Sequence, residues 1–523
     1  MCLFSRFRSG QYVPLVFALA ILNPLAKHHG LAAAQDDGLA TARALENTFV
    51  GVIERTQKSV VAIARLKKVE RFHLRPALDP FRREFRQGRQ SPLLDDPDNP
   101  DFVPVDFGAG VIIAPEDRPH ERYILTNYHV VKGGPATNLP VGEQNVALFA
   151  RFADHHSGSV AIKAADPRSD LAVLEIDFSE LGIKQDDLEP MIFAGQPDFR
   201  KGRIVLALGN PYAIARDGSA SASWGMISNR GRRPAMANPL NEMAFRRQTM
   251  HHFGTLLQID SRLDLGTSGG AVVNLDGELI GISTALAALE GYEKSVGYAV
   301  PVDSATRRIV DSLTRGLEVE YGFLGVRPDD VLPREMLRLS GSFEQPSAAR
   351  VLDVYPGSPA AKGRLLSGDV VLQVNNQPVY GQYDLMRHVG QLGPAATAHL
   401  AVWREKASRE LNLEVKLGKW PVHDDEGIIA TENRYDPWRG LTIDYPTARA
   451  KFLQYPLRYH PAVLVTRIDP GLKENTEVRE GDLITHVNDS AVRTPAEFHR
   501  AVRELSGDVR LVVIGREPVV MRE

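Results

Sequence analysis

The run Gly266-Thr267-Ser268-Gly269-Gly270 places one hydroxyl among glycines, and that hydroxyl can do chemistry only with help. Serine is a weak nucleophile until a base takes its proton, and the oxyanion formed by attack on a carbonyl must be met by backbone N–H groups. Flanking glycines permit the tight turn and the close approach of backbone to substrate. The pattern also satisfies the G-x-S-x-G elbow of α/β-hydrolases, so by itself it leaves two folds open. Context separates them. Ser268 is followed by AVVNLDGELIGIST, two β-branched runs meeting at Asp276-Gly277, which is hairpin text rather than the helix an elbow needs. The elbow class also sets its acid and its histidine after the serine, whereas here the best candidates precede it.

Those candidates are His129, in TNYHVV, and Asp170, which opens the strand-like run SDLAVLEID. In triad chemistry His129 would take the proton of Ser268 and return it to the leaving amine, while Asp170 fixes the imidazole tautomer and stabilises its cation. The backbone N–H groups of Gly266, Thr267 and Ser268 would supply the oxyanion donors. Each residue alone has an ordinary explanation: a structural histidine, a turn aspartate, a glycine loop. Their order and strand context give the joint case its weight. The pairs His155-His156 and His251-His252 are adjacent instead of spaced for one face, so they are read as solvated loop residues and no metal site is expected.

The elements that must carry these groups are short. From about Asn47 to Val302 the chain is mostly β-branched segments separated by Gly, Asn, Asp and Pro, the pattern of a β-barrel or sandwich. Residues 67–104 break it with Arg clusters and Pro- and Asp-rich runs, and are expected to form a long insertion loop. Asp303 is expected to cap a helix that buries Ile309, Val310 and Leu313 and stops at Gly316. Beyond it, LLSGDVVLQVNNQPV (365–379) and VREGDLITHVNDSAV (478–492) resemble each other. Each is followed by a helical stretch and a further strand, so a domain of about a hundred residues is duplicated.

With 523 residues the chain has length for about three domains. A net charge of −3 with intermingled signs offers no basic field for a phosphate backbone, and nucleic acid is not an expected partner. Residues 1–34 have the layout of a signal peptide: Arg6 and Arg8, an apolar run, then Ala32-Ala33-Ala34. Export follows. The alternative is an uncleaved anchor, the one route to membrane association. The single cysteine, Cys2, falls inside that segment, which excludes disulfides and cysteine catalysis in the mature chain.

The blocks TNYHVV, SDLAVL, ALGNP, LQIDSRLDLGTSGGAVVNLDGELIGIST and VGYAVPVD resemble, in order, those of the HtrA/Deg serine proteases. The resemblance implies a mainly β chain: a trypsin-like double β-barrel protease domain over 45–316, followed by two α+β PDZ domains at 319–417 and 430–523. It also implies His129, Asp170 and Ser268 as the triad, no cofactor, assembly as homotrimers or larger homo-oligomers, and action on unfolded or misfolded polypeptides in the periplasm or cell envelope. Thr267 and Ala271 depart from the family's usual asparagine and proline, without removing a backbone donor. The segment 221–254 resembles the family only at its start. Because Thr267 cannot form the ion pair that matures digestive zymogens, order at the site is expected to come from loop rearrangement, giving a gated enzyme.

Leu263 and Leu286 suggest an apolar substrate pocket for Val, Ala, Leu or Ile, unless Asp264 points inward. In PDZ domains a peptide C-terminus adds as a strand and backbone N–H groups hold its carboxylate. Phe323, Leu324, Gly325 and Val326 resemble that carboxylate loop, so peptide C-termini are expected at the first module. Arg439-Gly440-Leu441-Thr442-Ile443 resembles it less, and the second module is left between ligand binding and assembly. Two other functions stay open on sequence: an envelope chaperone that holds unfolded chains with little proteolysis, and a regulatory protease with one partner.

Overall fold

The computed structural model describes residues 25–67, 106–132, 146–153, 156–210, 218–232, 249–263, 266–284, 296–341, 343–423, 427–453, 458–473 and 476–522. Beyond Lys67, the expected insertion loop lies outside these residues, as do the first 24 residues of the expected signal peptide. The chain divides into two compact units, Met1–Gly51 and Val52–Glu523. A helix runs from Leu25 to Thr56, where the sequence reading had strands from Asn47. Its second half, ATARALENTFVGVIERT, carries repeated Ala, Glu and Arg, which lose little side-chain freedom in a helix. No described helix is long and apolar enough to cross a membrane.

Two barrels follow. The first comprises β1 (Val60–Lys67), β2 (Asp106–Ile113), β3 (Tyr123–Asn127), β4 (Val146–Arg151), β5 (Ser157–Asp166) and β6 (Leu171–Ile176). Its strands run in the order β5-β4-β1-β2-β3-β6, and β5 closes the ring on β6. Ile63, Ile112, Ile124 and Leu174 fill its centre. The second barrel is closed by β7 (Ile204–Gly209), β8 (Ser221–Arg232), β9 (Leu256–Ile259), β10 (Ala271–Val273), β11 (Leu279–Thr284) and β12 (Gly297–Pro301). Closure leaves few edges open and sends alternate side chains inward, here Val205, Ile227, Ile259 and Val272. The hairpin read at Asp276-Gly277 forms, with Asn274 Oδ1 accepting from the N–H groups of Asp276 and Glu278.

The helix Ser304–Thr314 has Asp303 as its N-cap, accepting from Thr306 N at 2.9 Å, and buries Ile309, Val310 and Leu313. Two sheets of the same design come next. Strands Val326–Val331, Ala348–Val354, Val370–Val374, Thr397–Arg404 and Arg409–Lys416 lie in that order, and Leu441–Asp444, Val463–Ile468, Leu483–Val487, Val509–Val513 and Val519–Met521 repeat it. Each repeat turns at a left-handed asparagine, Asn375 in one and Asn488 in the other, a conformation that asparagine tolerates better than most side chains. The helices Gln382–Leu392 and Pro495–Val502 occupy the same place in each unit.

Candidate active site

Strand β3 ends in a helical turn, Tyr128–Lys132, that carries His129. Asp170 stands at the tight turn between β5 and β6 with φ of 53°, a left-handed conformation that a non-glycine residue holds only when its surroundings impose it. The surroundings are visible. The Asp170 carbonyl accepts from Tyr128 N at 2.9 Å and from Asn127 Nδ2 at 3.0 Å, and Asp166 caps the turn by accepting from Ser169 N at 3.0 Å. In that pose both Asp170 oxygens face His129 Nδ1, at 3.0 and 2.9 Å, and Oδ1 also accepts the His129 backbone N–H at 3.1 Å. Asp170 is buried and the imidazole is partly open. A carboxylate on Nδ1 leaves Nε2 as the nitrogen able to take a proton.

Ser268 sits on the turn entering β10, bounded by Gly266 and Gly269 at φ of 95° and 86°. Its carbonyl accepts from Ala109 N at 2.8 Å. Gly108 places this turn beside the histidine helix: a methyl there would lie 2.6 Å from Val130 Cγ1 and 3.2 Å from the Ser268 carbonyl oxygen. The end of β11 ties the two sides together. Ser283 Oγ donates to the Thr267 carbonyl, Ser283 O accepts from Gly269 N at 2.9 Å, and the neighbouring Thr284 Oγ1 donates to Asp170 Oδ2 at 3.3 Å. The Thr267 carbonyl also accepts from Gly270 N at 2.9 Å. Across a trans peptide the N–H points away from the C=O, so these bonds aim the Ser268 N–H, an expected oxyanion donor, to the opposite side.

Leu263 lines a cleft of about 130 Å³ with Ala207, Leu208, Ser223 and Thr267. No carboxylate is among its described lining residues. Leu286 and Asp264 lie outside the described residues. In the first repeat unit Phe323, Leu324 and Val326 are buried and Gly325 is left-handed at φ of 82°. The adjoining strand Val326–Val331 is the outermost of its sheet, so its far edge offers the N–H and C=O groups that an added peptide strand needs. In the second unit the Arg439 guanidinium donates to the carbonyls of Met521 and Gly507, at 2.9 and 2.8 Å.

His251, read as solvated, is buried: it corrects the sequence reading. Its ring lies 2.6 Å from Thr255 Oγ1 through Nδ1 and 2.9 Å from the Ser169 carbonyl through Nε2. Burial lowers its pKa below the ordinary imidazole value, against the opposing pull of Asp170. His252 is partly exposed, and burial lowers its pKa as well. Thr284 bonds Asp170 directly, Asp166 and His251 act on it through Ser169, and no motif marks them; only the spacing of Asp166 ahead of Ser169, as a capped turn, is a local signal.

Residues 108–282 match the family described as trypsin-like peptidase domain, and residues 322–415 match the PDZ domain family. Barrel pair, braced histidine and peptidase match together define a trypsin-fold serine endopeptidase. A protein of Rhizobium meliloti (strain 1021) described as "Probable periplasmic serine endoprotease DegP-like" is 30% identical over 406 residues, spanning 77% of this chain and 71% of that protein. One of Brucella suis biovar 1 (strain 1330) with the same description is 28% identical over 497 residues, spanning 89% and 86%. Among solved structures, "HtrA-type protease AlgW with tripeptide" is 25% identical, with a TM-score of 0.48, over 72% of this chain and 98% of that one. Within the trypsin-fold class, the chain belongs to the HtrA/Deg family of PDZ-bearing serine proteases.

Proposed function

We propose that Ser268, His129 and Asp170 are the catalytic triad of this periplasmic serine endopeptidase, and that its substrates are unfolded or misfolded polypeptides. The observation that carries the reading is the Asp170 carboxylate on His129 Nδ1 at 2.9 Å, with the Ser268 turn tied through β11 to the same carboxylate. His129 Nε2 takes the Ser268 proton as Oγ attacks the scissile carbonyl. The oxyanion turns toward the N–H groups of Gly266, Thr267 and Ser268. The proton then passes from Nε2 to the leaving amine, and water repeats the sequence to free the acyl group. Ala207, Leu208, Ala222 and Leu263, which line the cleft together with Ser221, Ser223, Arg262 and Thr267, would take a small aliphatic side chain, a residue type that an unfolded chain exposes and a folded one buries.

Peptide binding at the first PDZ unit regulates this site through a docked turn. Arg387 of the helix Gln382–Leu392 donates to the Phe253 carbonyl at 2.8 Å, and Phe253 packs between Tyr383 and Trp420, with Trp420 edge-on to Phe323 of the carboxylate loop. The other end of the turn reaches the residues just ahead of Asp170: Met250 N donates to Arg168 O at 2.7 Å, and His251 meets Ser169 O. Assembly as a homotrimer or larger homo-oligomer belongs to the same reading, on the family resemblance.

Casein turnover tests it. The native chain is expected to degrade casein, and Ser268→Ala to lose more than about a thousandfold in rate. Suppression of aggregation without turnover by the native chain would instead identify a holding chaperone.

A further inference from the structure

The connection between the two PDZ units runs back across the protease. Ile429–Ala430 forms a short strand on β5, opposite Ala165 and Ala164 in antiparallel register. It occupies the length of β5 beyond the pairing with β4, which ends at Val160. Contacts on both sides reinforce this pair. Thr431 Oγ1 donates to Lys163 O at 2.9 Å, Glu432 N donates to Gly316 O at 3.0 Å, and Gly427 O accepts from the Tyr128 hydroxyl at 3.1 Å.

The positions of these contacts matter. Tyr128 immediately precedes His129, and its own N–H holds the Asp170 carbonyl. Strand β5 ends at Asp166, whose carboxylate caps the turn presenting Asp170. One segment of six residues therefore grips the helix that carries the histidine and the strand that leads to the aspartate. Two glycines mark its fit. Gly427 is left-handed at φ of 78°, and a methyl there would overlap the Tyr128 hydroxyl while lying 3.6 Å from ring carbon Cζ. A methyl at Gly316 would lie 2.5 Å from Thr431 Oγ1.

We propose that Gly427–Glu432 is a positioning strap for the His129–Asp170 pair, with Tyr128 as the positioning residue that transmits it. The strap touches no reacting atom. It sets how the imidazole and carboxylate meet, and it makes catalysis depend on where the second PDZ unit holds the chain. The inference rests on the triad reading above.

The test uses the full chain and a short chromogenic peptide, so that PDZ-dependent substrate capture does not enter. Tyr128→Phe removes one hydroxyl and is expected to lower kcat about fivefold at unchanged KM, the scale of one lost buried hydrogen bond. Gly427→Ala is expected to lower kcat further, because the added methyl pushes the tyrosine and its helix aside. The double variant is expected to recover part of the way toward the rate of Tyr128→Phe alone, since the atom that the methyl strikes is gone while the left-handed backbone at 427 still strains an alanine. General loosening of the chain would not produce that recovery. Unchanged kcat in both single variants, folded by circular dichroism, overturns the strap, as does a double variant whose loss is the product of the two. A native chain that neither cleaves the peptide nor is labelled at Ser268 by a fluorophosphonate overturns the triad reading instead.

Discussion

Asp170 has to hold an imidazole with its side chain while its backbone sits where few residues settle. The two demands are linked: the left-handed turn, fixed by bonds from Tyr128 and Asn127 to its carbonyl, swings the carboxylate under His129 so that both oxygens face Nδ1. Asp170→Asn keeps the shape and loses the charge, and its amide can favour the wrong tautomer. The expected result is a fall in kcat of about ten thousandfold with the fold intact, read by burst and steady-state kinetics on a peptide substrate. The three proposed triad positions could be read from sequence because the chemistry demands their residue types in that order. The residues behind them could not. Thr284 and Asp166 act through hydrogen bonds of a kind that any strand end or turn can make. Adjacency does not imply shared exposure: with about three residues per turn in a 3-10 helix, successive side chains point about 120° apart, so His251 is buried against the Ser169 carbonyl while His252 is partly exposed.

The turn Met250–Phe253 touches both the turn that presents Asp170, through Ser169, and the first PDZ unit, through Arg387. Arg387→Ala removes its guanidinium bonds to the Phe253 and Gly254 carbonyls. It is expected to reduce the stimulation of peptidase activity by an added C-terminal peptide at least about threefold, measured as the ratio of rates with and without that peptide. The turn should also answer to pH. His251 has a folded pKa below its unfolded value of about 6.5, so the unfolded chain binds a proton first as pH falls. Its stability contribution is complete above about pH 6.5 and is lost as pH drops toward and through the folded value. His251→Gln is expected to flatten the dependence of unfolding free energy on pH across that window, as read by denaturant titration at several pH values. Sequence showed that segment 221–254 departs from the family pattern, but its docking depends on Arg387 and Trp420, more than a hundred residues away, where no local periodicity can report it.

For the whole molecule, the duplicated modules were legible in repeated Gly-Asp and Asn turns, while what joins them was not: two residues pairing with β5 across some 265 positions carry too little pattern to read. The joint also holds Lys419, almost wholly buried, with Glu318, Glu320 and Asp444 at 3.0, 3.5 and 2.8 Å. Arg434 and Arg449 add positive charge at 3.3 and 3.7 Å from Glu320 and Glu318. Burial alone would lower the Lys419 pKa, but Asp444, Glu318 and Glu320 outweigh it and hold the ammonium charged. Burial already raises the Glu320 pKa against that cation. Lys419→Met therefore leaves buried carboxylates short of a partner, at an expected cost of about 3–5 kcal/mol. The sign of its pH dependence follows. Without the cation the Glu320 folded pKa rises further above the unfolded value, so the stability linked to it is present below about pH 4.3 and lost as pH rises through the folded value. The gap in unfolding free energy between native chain and variant is expected to narrow as pH is lowered from 8 to 5, and a gap that widened would show that Lys419 does not neutralise these carboxylates.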